Sequence, residues 1–177
     1  MKTSLIAAFI AAVLVGCAPA PPKAPDVADS IRKSLENANL KDVSVTQDRD
    51  KGVVTLGGHV NAESAKAQAE SIAKSAAGTQ VVANEIAVTP AGVEKDARNV
   101  NSELDKGISH NLDAALTQNR LHNFVKYDVK NGVVTLTGDV ASQAVRDSAQ
   151  KIAAGVPNVQ QVVNELQVRN QRASSSR

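Results

Sequence analysis

Gly52-Val53-Val54-Thr55-Leu56-Gly57-Gly58-His59-Val60 and Gly132-Val133-Val134-Thr135-Leu136-Thr137-Gly138-Asp139-Val140 are two versions of one strand, 80 residues apart. The same offset aligns residues 51–88 with 131–168 without a gap. Ala69, Ile72 and Ala73 meet Ala149, Ile152 and Ala153, and Val82, Asn84, Glu85 and Val88 meet Val162, Asn164, Glu165 and Val168. Identity this dense at one period marks two copies of a single supersecondary unit. Upstream the register shifts by one, so that Ile31, Leu35 and Leu40 fall on Leu112, Leu116 and Leu121, as a one-residue loop insertion requires. The units are expected over 26–90 and 102–170, joined by a polar linker over 91–101.

Each unit opens on a helical pattern. Val27, Ile31, Leu35 and Ala38 in the first, and Leu104, Ile108, Leu112 and Leu116 in the second, recur every three or four residues and so share one face. Asp26 is placed to cap the first helix, and Ser102 with Asp105 makes a capping box for the second. An alternating strand follows, with Val43 and Val45 in one copy and Val125, Tyr127 and Val129 in the other. Lys130-Asn131-Gly132 predicts a tight hairpin, because Asn-Gly supplies two residues that tolerate positive φ; Lys51-Gly52 is a weaker form of the same turn. Gly58 and Gly138 fall inside the second strand, where glycine marks a bulge or a close backbone approach, so both are assigned structural roles. A second helix presents small residues, Ala65, Ala69 and Ala73 answered by Val145, Ala149 and Ala153, and a last strand runs from Val81 to Val88 or from Gln161 to Val168. The expected order is α, β, β, α, β in both copies, an α+β chain of two two-layer modules.

The G-V-V-T-L-x-G-x-V strand, the A-x-x-I-A helix and the closing V-x-N-E strand resemble the BON domain family over both repeats. The resemblance implies two tandem αββαβ modules and a part in envelope integrity or lipid binding, and it implies no chemistry. In lipid-binding members it is the second module and its first helix that meet lipid with the help of a tryptophan. This chain has no tryptophan, so no individual lipid contact is carried over.

The amino terminus has a positive start at Lys2, an apolar run from Leu5 to Val15, and Gly16 before Cys17, which reads as a signal peptide over 1–16. Leu14-Val15-Gly16-Cys17 resembles a bacterial lipobox, which implies cleavage before Cys17 and lipidation of its thiol. Several acyl chains anchor a protein almost permanently, at about 0.8 kcal/mol for each buried methylene. Ala18, where lipoproteins retained at the inner membrane often carry Asp, points by the same resemblance to the outer membrane, facing the periplasm. Residues 17–25, rich in Ala and Pro, form an extended tether, and the Ser- and Arg-rich residues 171–177 a disordered tail.

The formal net charge of +2 leaves no electrostatic footprint for nucleic acid. One cysteine excludes an intrachain disulfide and a Cys-rich metal site. His59, His110 and His122 lack metal-ligand spacing, and His59 has Asp139 as its repeat partner. No phosphate loop, carboxylate pair or Ser-His-Asp pattern stands out, so neither catalytic residues, a metal nor a cofactor is expected, and the chain is not expected to be an enzyme. Asn84-Glu85 and Asn164-Glu165 recur as a polar pair that either contacts a shared ligand or, more simply, uses Asn to tie a turn while Glu faces water.

Acidic residues outnumber basic ones nine to seven over 26–90, whereas 108–170 has five against six. Arg120, Lys126 and Lys130 stand near the aromatics Phe124 and Tyr127, a pairing suited to an anionic headgroup above an acyl surface. Arg120, Phe124, Lys126 and Tyr127 are the candidate lipid-binding residues. The function expected is a lipid-anchored envelope protein that binds anionic phospholipid and supports outer-membrane integrity. The alternative is a periplasmic module that docks on envelope proteins or peptidoglycan without recognising lipid.

Overall fold

The computed structural model describes residues 23–169. Cys17, the signal segment 1–16, the tether up to residue 22 and the tail 171–177 lie outside the described residues.

The first unit runs α1 (Ala28–Asn37), β1 (Val43–Asp48), β2 (Val53–Val60), α2 (Glu63–Ala77), β3 (Val81–Asn84) and β4 (Ala87–Val88). The second repeats it as α3 (Glu94–Gln118), β5 (Lys126–Lys130), β6 (Val133–Thr137), β7 (Asp139–Val140), α4 (Gln143–Ala154), β8 (Gln161–Asn164) and β9 (Gln167–Val168). In each, the second strand is central, antiparallel to the first and parallel to the last. Both helices cover one face of the sheet. Ile31, Leu35, Ala69 and Ala73 pack on Val45, Val54, Leu56 and Val82, and Ile108, Leu112, Leu116 and Ala149 pack on Val125, Val134, Leu136 and Val140. The alanine face of α2 and α4 lets each helix lie close to its strands, and the core is aliphatic throughout.

The last strand is broken in both copies. Asn84 donates from Nδ2 to Glu70 Oε2 at 2.9 Å and accepts the Ile86 N–H at 3.4 Å; Asn164 donates to Gln150 Oε1 at 3.1 Å and accepts the Leu166 N–H at 3.2 Å. Each asparagine thus ties the kink to the helix above it. Gly58 and Gly138 sit at φ +89 and +123, where the first strand crosses at close range. A Cβ at either would lie 2.0 Å from Asp42 O or 2.4 Å from Phe124 O, which only glycine avoids.

Three expectations about the helices give way. The linker 91–101 is not separate from the second unit's first helix, since α3 starts at Glu94 and runs 25 residues without interruption. No Pro or Gly interrupts residues 93–106, and Glu, Lys, Ala and Arg among them are strong helix formers, so the helix continues toward its exposed start. Ser102 and Asp105 therefore lie mid-helix and form no capping box. Asp26 caps nothing either. Val27 takes the N-cap position with no side-chain cap, its N–H goes to Gln47 Oε1 at 3.1 Å, and Asp26 lies 3.8 Å from Arg49 instead. The end of the tether is also fastened: the Ala24 N–H donates to Arg49 O at 2.8 Å, and Pro25 O accepts from Gln47 and Gln80.

The two units pack through their sheet faces opposite the helices. Val53, Ala83, Val133 and Val163 form one small buried cluster made of two repeat-equivalent pairs, so the contact is near-symmetric. Lys51 reaches Glu165 at 2.6 Å and Lys130 reaches Glu85 at 3.0 Å, one ion pair running each way across the seam. Gln161 holds the open edge of β3, giving Nε2–H to Val82 O at 2.6 Å and taking the Asn84 N–H at 3.0 Å. An amide that mimics a neighbouring strand covers an edge that would otherwise pair with another chain.

Candidate functional site

Among the four residues singled out for lipid, alternation along β5 divides the pair Lys126 and Tyr127 between opposite faces of the sheet. Lys126 is exposed at the start of the strand. Tyr127 turns inward against the second core, and its hydroxyl donates to Ser109 O on α3 at 3.2 Å, with Asp113 Oδ1 at 3.5 Å. Burial pushes that hydroxyl above its ordinary range, and the Asp113 charge adds in the same direction. Tyr127 therefore belongs to the core side of the module. Phe124 remains 48 % exposed in the loop before β5, and Arg120, at φ +58 just past α3, is exposed on the same connection. Arg120, Phe124 and Lys126 are each exposed on the stretch from the end of α3 to the start of β5, whereas Tyr127 turns inward.

The larger apolar surface lies where the sequence reading placed a linker. Val93, Val100 and Leu104 are exposed along the projecting half of α3, and Leu104, expected in the core, is 45 % exposed. Val100, Leu104, Gly107 and Asn111 border an open cavity of about 410 Å³ closed on the far side by Asn158. The signal was present in the sequence as the spacing of Val93, Ala97, Val100 and Leu104, a helical period running straight through 91–101.

Charge does less than the sequence count suggested. Over the full module, 102–170, Glu103, Asp105 and Lys106 join the tally and bring it to seven acidic against seven basic residues. Glu85 and Glu165 do not face water either; their side chains are 15 % and 11 % exposed and serve the inter-module pairs. The histidines come together nowhere. His59 and His110 are exposed, and His122 Nδ1 lies 2.8 Å from Asp113 Oδ1. Among the described residues no three His, Cys, Asp or Glu side chains gather as a metal site, and no helix is long and apolar enough to cross a membrane.

The described residues form a duplicated two-layer αββαβ module whose copies pack back to back, with one long helix carrying an unburied apolar stripe. The chain belongs to the BON domain family, whose pattern matches residues 24–90 and 104–170. It is similar to osmotically-inducible protein Y of Escherichia coli strain K12, 29 % identical over 137 residues that cover 76 % of this chain and 67 % of that protein. Among solved structures it is similar to CdsD, described as a structural protein of the type III secretion system of Chlamydia trachomatis, at 15 % identity and a TM-score of 0.32 over 80 % of this chain and 61 % of that one. A structure of the C-terminal domain of CdsD gives 13 % identity and a TM-score of 0.33, covering 80 % and 65 %. The chain thus spans less than two thirds of either chlamydial chain.

Proposed function

We propose that this chain is an envelope protein held to the outer membrane, on its periplasmic side, by acyl chains on Cys17, and that its second module rests on anionic phospholipid and supports the membrane barrier. The observation that carries the lipid part is the distribution of exposed apolar side chains: of the five large ones among the described residues, Val93, Val100, Leu104 and Phe124 all fall between the N-cap of α3 and the loop before β5. Half-exposed Val, Leu and Phe side chains each contribute about 1 kcal/mol when the remaining surface leaves water. Arg120 and Lys126 stand beside Phe124 and add about 1 kcal/mol each near an anionic surface. The projecting half of α3 carries acidic and basic residues in near balance, so apolar area dominates there. The membership of the BON family, the likeness to an osmotically inducible protein and the lipobox-like residues Leu14-Val15-Gly16-Cys17 support an envelope setting.

The test is co-sedimentation of the chain from Ala18 onward with phosphatidylglycerol-rich vesicles. Binding at low salt, weakened about tenfold by Val100→Ser together with Leu104→Ser, is expected. Absence of binding at low salt, where attraction is greatest, overturns the lipid reading. In that event, crosslinking in cells to an envelope protein or to peptidoglycan would favour the interaction-module reading. Mass spectrometry of the native protein reads the lipid on Cys17 directly, and an unmodified thiol overturns the anchor.

A further inference from the structure

The chain enters the first unit through a clamp. The Ala24 N–H donates to Arg49 O at 2.8 Å, and Arg49 Nε–H donates back to Ala24 O at 2.8 Å. Pro25 O accepts from Gln47 Nε2 at 2.7 Å and from Gln80 Nε2 at 3.1 Å, and Lys23 Nζ lies 3.1 Å from Asp50 Oδ1. These bonds fix residues 23–25 beside the tip of the β1–β2 hairpin. Only residues 18–22 separate Cys17 from Lys23, and a chain of that length reaches at most about 20 Å when fully extended.

The hairpin tip and Phe124 stand at the same end of the molecule. Lys51, in the tip, reaches Glu165 of the second unit at 2.6 Å. The Glu165 N–H donates to Leu136 O at 2.9 Å, and two residues on a Cβ at Gly138 would collide with Phe124 O. A short series of contacts thus joins the clamp to the loop that carries Arg120 and the half-exposed Phe124. The opposite end lies a strand length away, about 20 Å along β1. There Asn39, Leu40 and Asp42, in the loop before β1, share a cleft with Glu94 at the start of α3. The helix α3 therefore begins at the far end and finishes beside Phe124, whose N–H donates to Leu121 O at 2.9 Å.

We propose that the clamp makes the end bearing the β1–β2 hairpin and the Phe124 loop the membrane-facing end of the protein, with Phe124 entering an anionic bilayer beside the acyl chains of Cys17. A short leash raises the effective concentration of lipid at the surface next to its attachment, so a side chain of modest affinity is held there. Val93, Val100 and Leu104 stand toward the far end and meet the bilayer only when α3 lies along it. This inference rests on the acyl anchor and the lipid contact proposed above, and it adds which end of the molecule makes that contact.

The test couples the chain from Cys17 onward, through its single thiol, to a maleimide lipid in phosphatidylglycerol-rich vesicles. The chain has no tryptophan, so Phe124→Trp and, in a second protein, Lys41→Trp place one fluorescent reporter at each end. Both positions are exposed, so neither substitution opens a core. With brominated acyl chains in the vesicles, the reporter at 124 is expected to be blue-shifted and quenched, and the reporter at 41 to behave as it does without vesicles. Inserting about 20 Gly and Ser residues between residues 22 and 23 lowers the effective concentration roughly tenfold and is expected to cut the quenching at 124 by about half or more. The proposal is overturned by equal quenching at both positions, by quenching at 41 alone, by quenching at neither, or by quenching at 124 that the longer leash leaves unchanged. The uncoupled chain keeps the two failures apart. If it co-sediments with the same vesicles while the coupled reporters show the wrong end, the orientation fails and the lipid reading stands; if it does not, the lipid reading itself fails.

Discussion

Asp105 on α3 and Asn131 at the tip of the β5–β6 hairpin are joined by a 2.8 Å hydrogen bond from the Asn131 N–H to Asp105 Oδ2, and the Gly132 N–H takes the other oxygen at 2.9 Å. One carboxylate thereby satisfies both amides of a turn whose residues sit at φ +48 and +78. The Asn131 side chain, from the same turn, donates to Glu85 O of the first unit at 2.8 Å. A helix, a hairpin and the neighbouring module are fastened at one point.

Asp105→Ala should therefore destabilise the protein by about 2 kcal/mol, since it strands two amides and removes two charge-assisted bonds. That corresponds to a fall in Tm of about 4–8 °C, read by thermal unfolding. Asp105→Asn, which leaves one acceptor in place, should fall between the two. A variant as stable as the parent would show that water replaces the carboxylate freely.

The pair Lys51–Glu165 crosses the seam, and its hydrogen bond to Glu165 is the largest cause holding the Lys51 ammonium above its ordinary value of 10.5. A lysine whose pKa is raised on folding stabilises the fold fully below its unfolded pKa and loses that contribution as pH rises through the folded one. Stability should thus decline above about pH 10.5. The decline should be shallower in Glu165→Gln. Lys51 is substantially exposed, so the double-mutant coupling should stay at about 1 kcal/mol or less, measured by urea unfolding.

Asn84 is buried and ties the kink of the last strand to Glu70, whose carboxyl is held below its ordinary 4.5 first by Lys74 and then by Asn84. A depressed carboxyl stabilises the fold above its unfolded pKa and loses that contribution as pH falls through the folded one, here below about pH 4.5. Asn84→Ala should cost about 1–3 kcal/mol at neutral pH. It should also flatten the acid limb of the stability profile; an unchanged limb would exclude the Asn84 contribution.

Gly138→Ala should be among the most damaging single-methyl changes in the second module, because its new Cβ meets Phe124 O at 2.4 Å on a backbone of φ +123. Strain of this kind costs about 1–3 kcal/mol before the clash is counted. Gly107→Ala, whose Cβ meets nothing within 4 Å in mid-helix, should instead stabilise by up to about 1 kcal/mol. Chemical denaturation of the two variants side by side reads the contrast.

Much of this fold is legible in the residue order. The Val54 and Leu56 alternation, the Asn131-Gly132 turn and the Ala69 and Ala73 face each encode local geometry, and repetition at a fixed offset doubles the signal. Polarity marks Glu94 to Ser102 as a connection between the modules but does not say that it is a solvated helix continuous with the second unit. Tyr127 was misplaced for a different reason. An aromatic beside lysine looks like an interface residue until strand alternation is fixed by the register of Tyr127 against Leu136.

The chain alone determined two αββαβ modules and their aliphatic cores, because hydrophobic period and turn chemistry act within a few residues. Tertiary structure decided which faces the modules share and where Glu85 and Glu165 find their cations. Those outcomes depend on pairings between residues about 45 to 114 positions apart, which arise only when two folded surfaces meet and withdraw each other's charges from water.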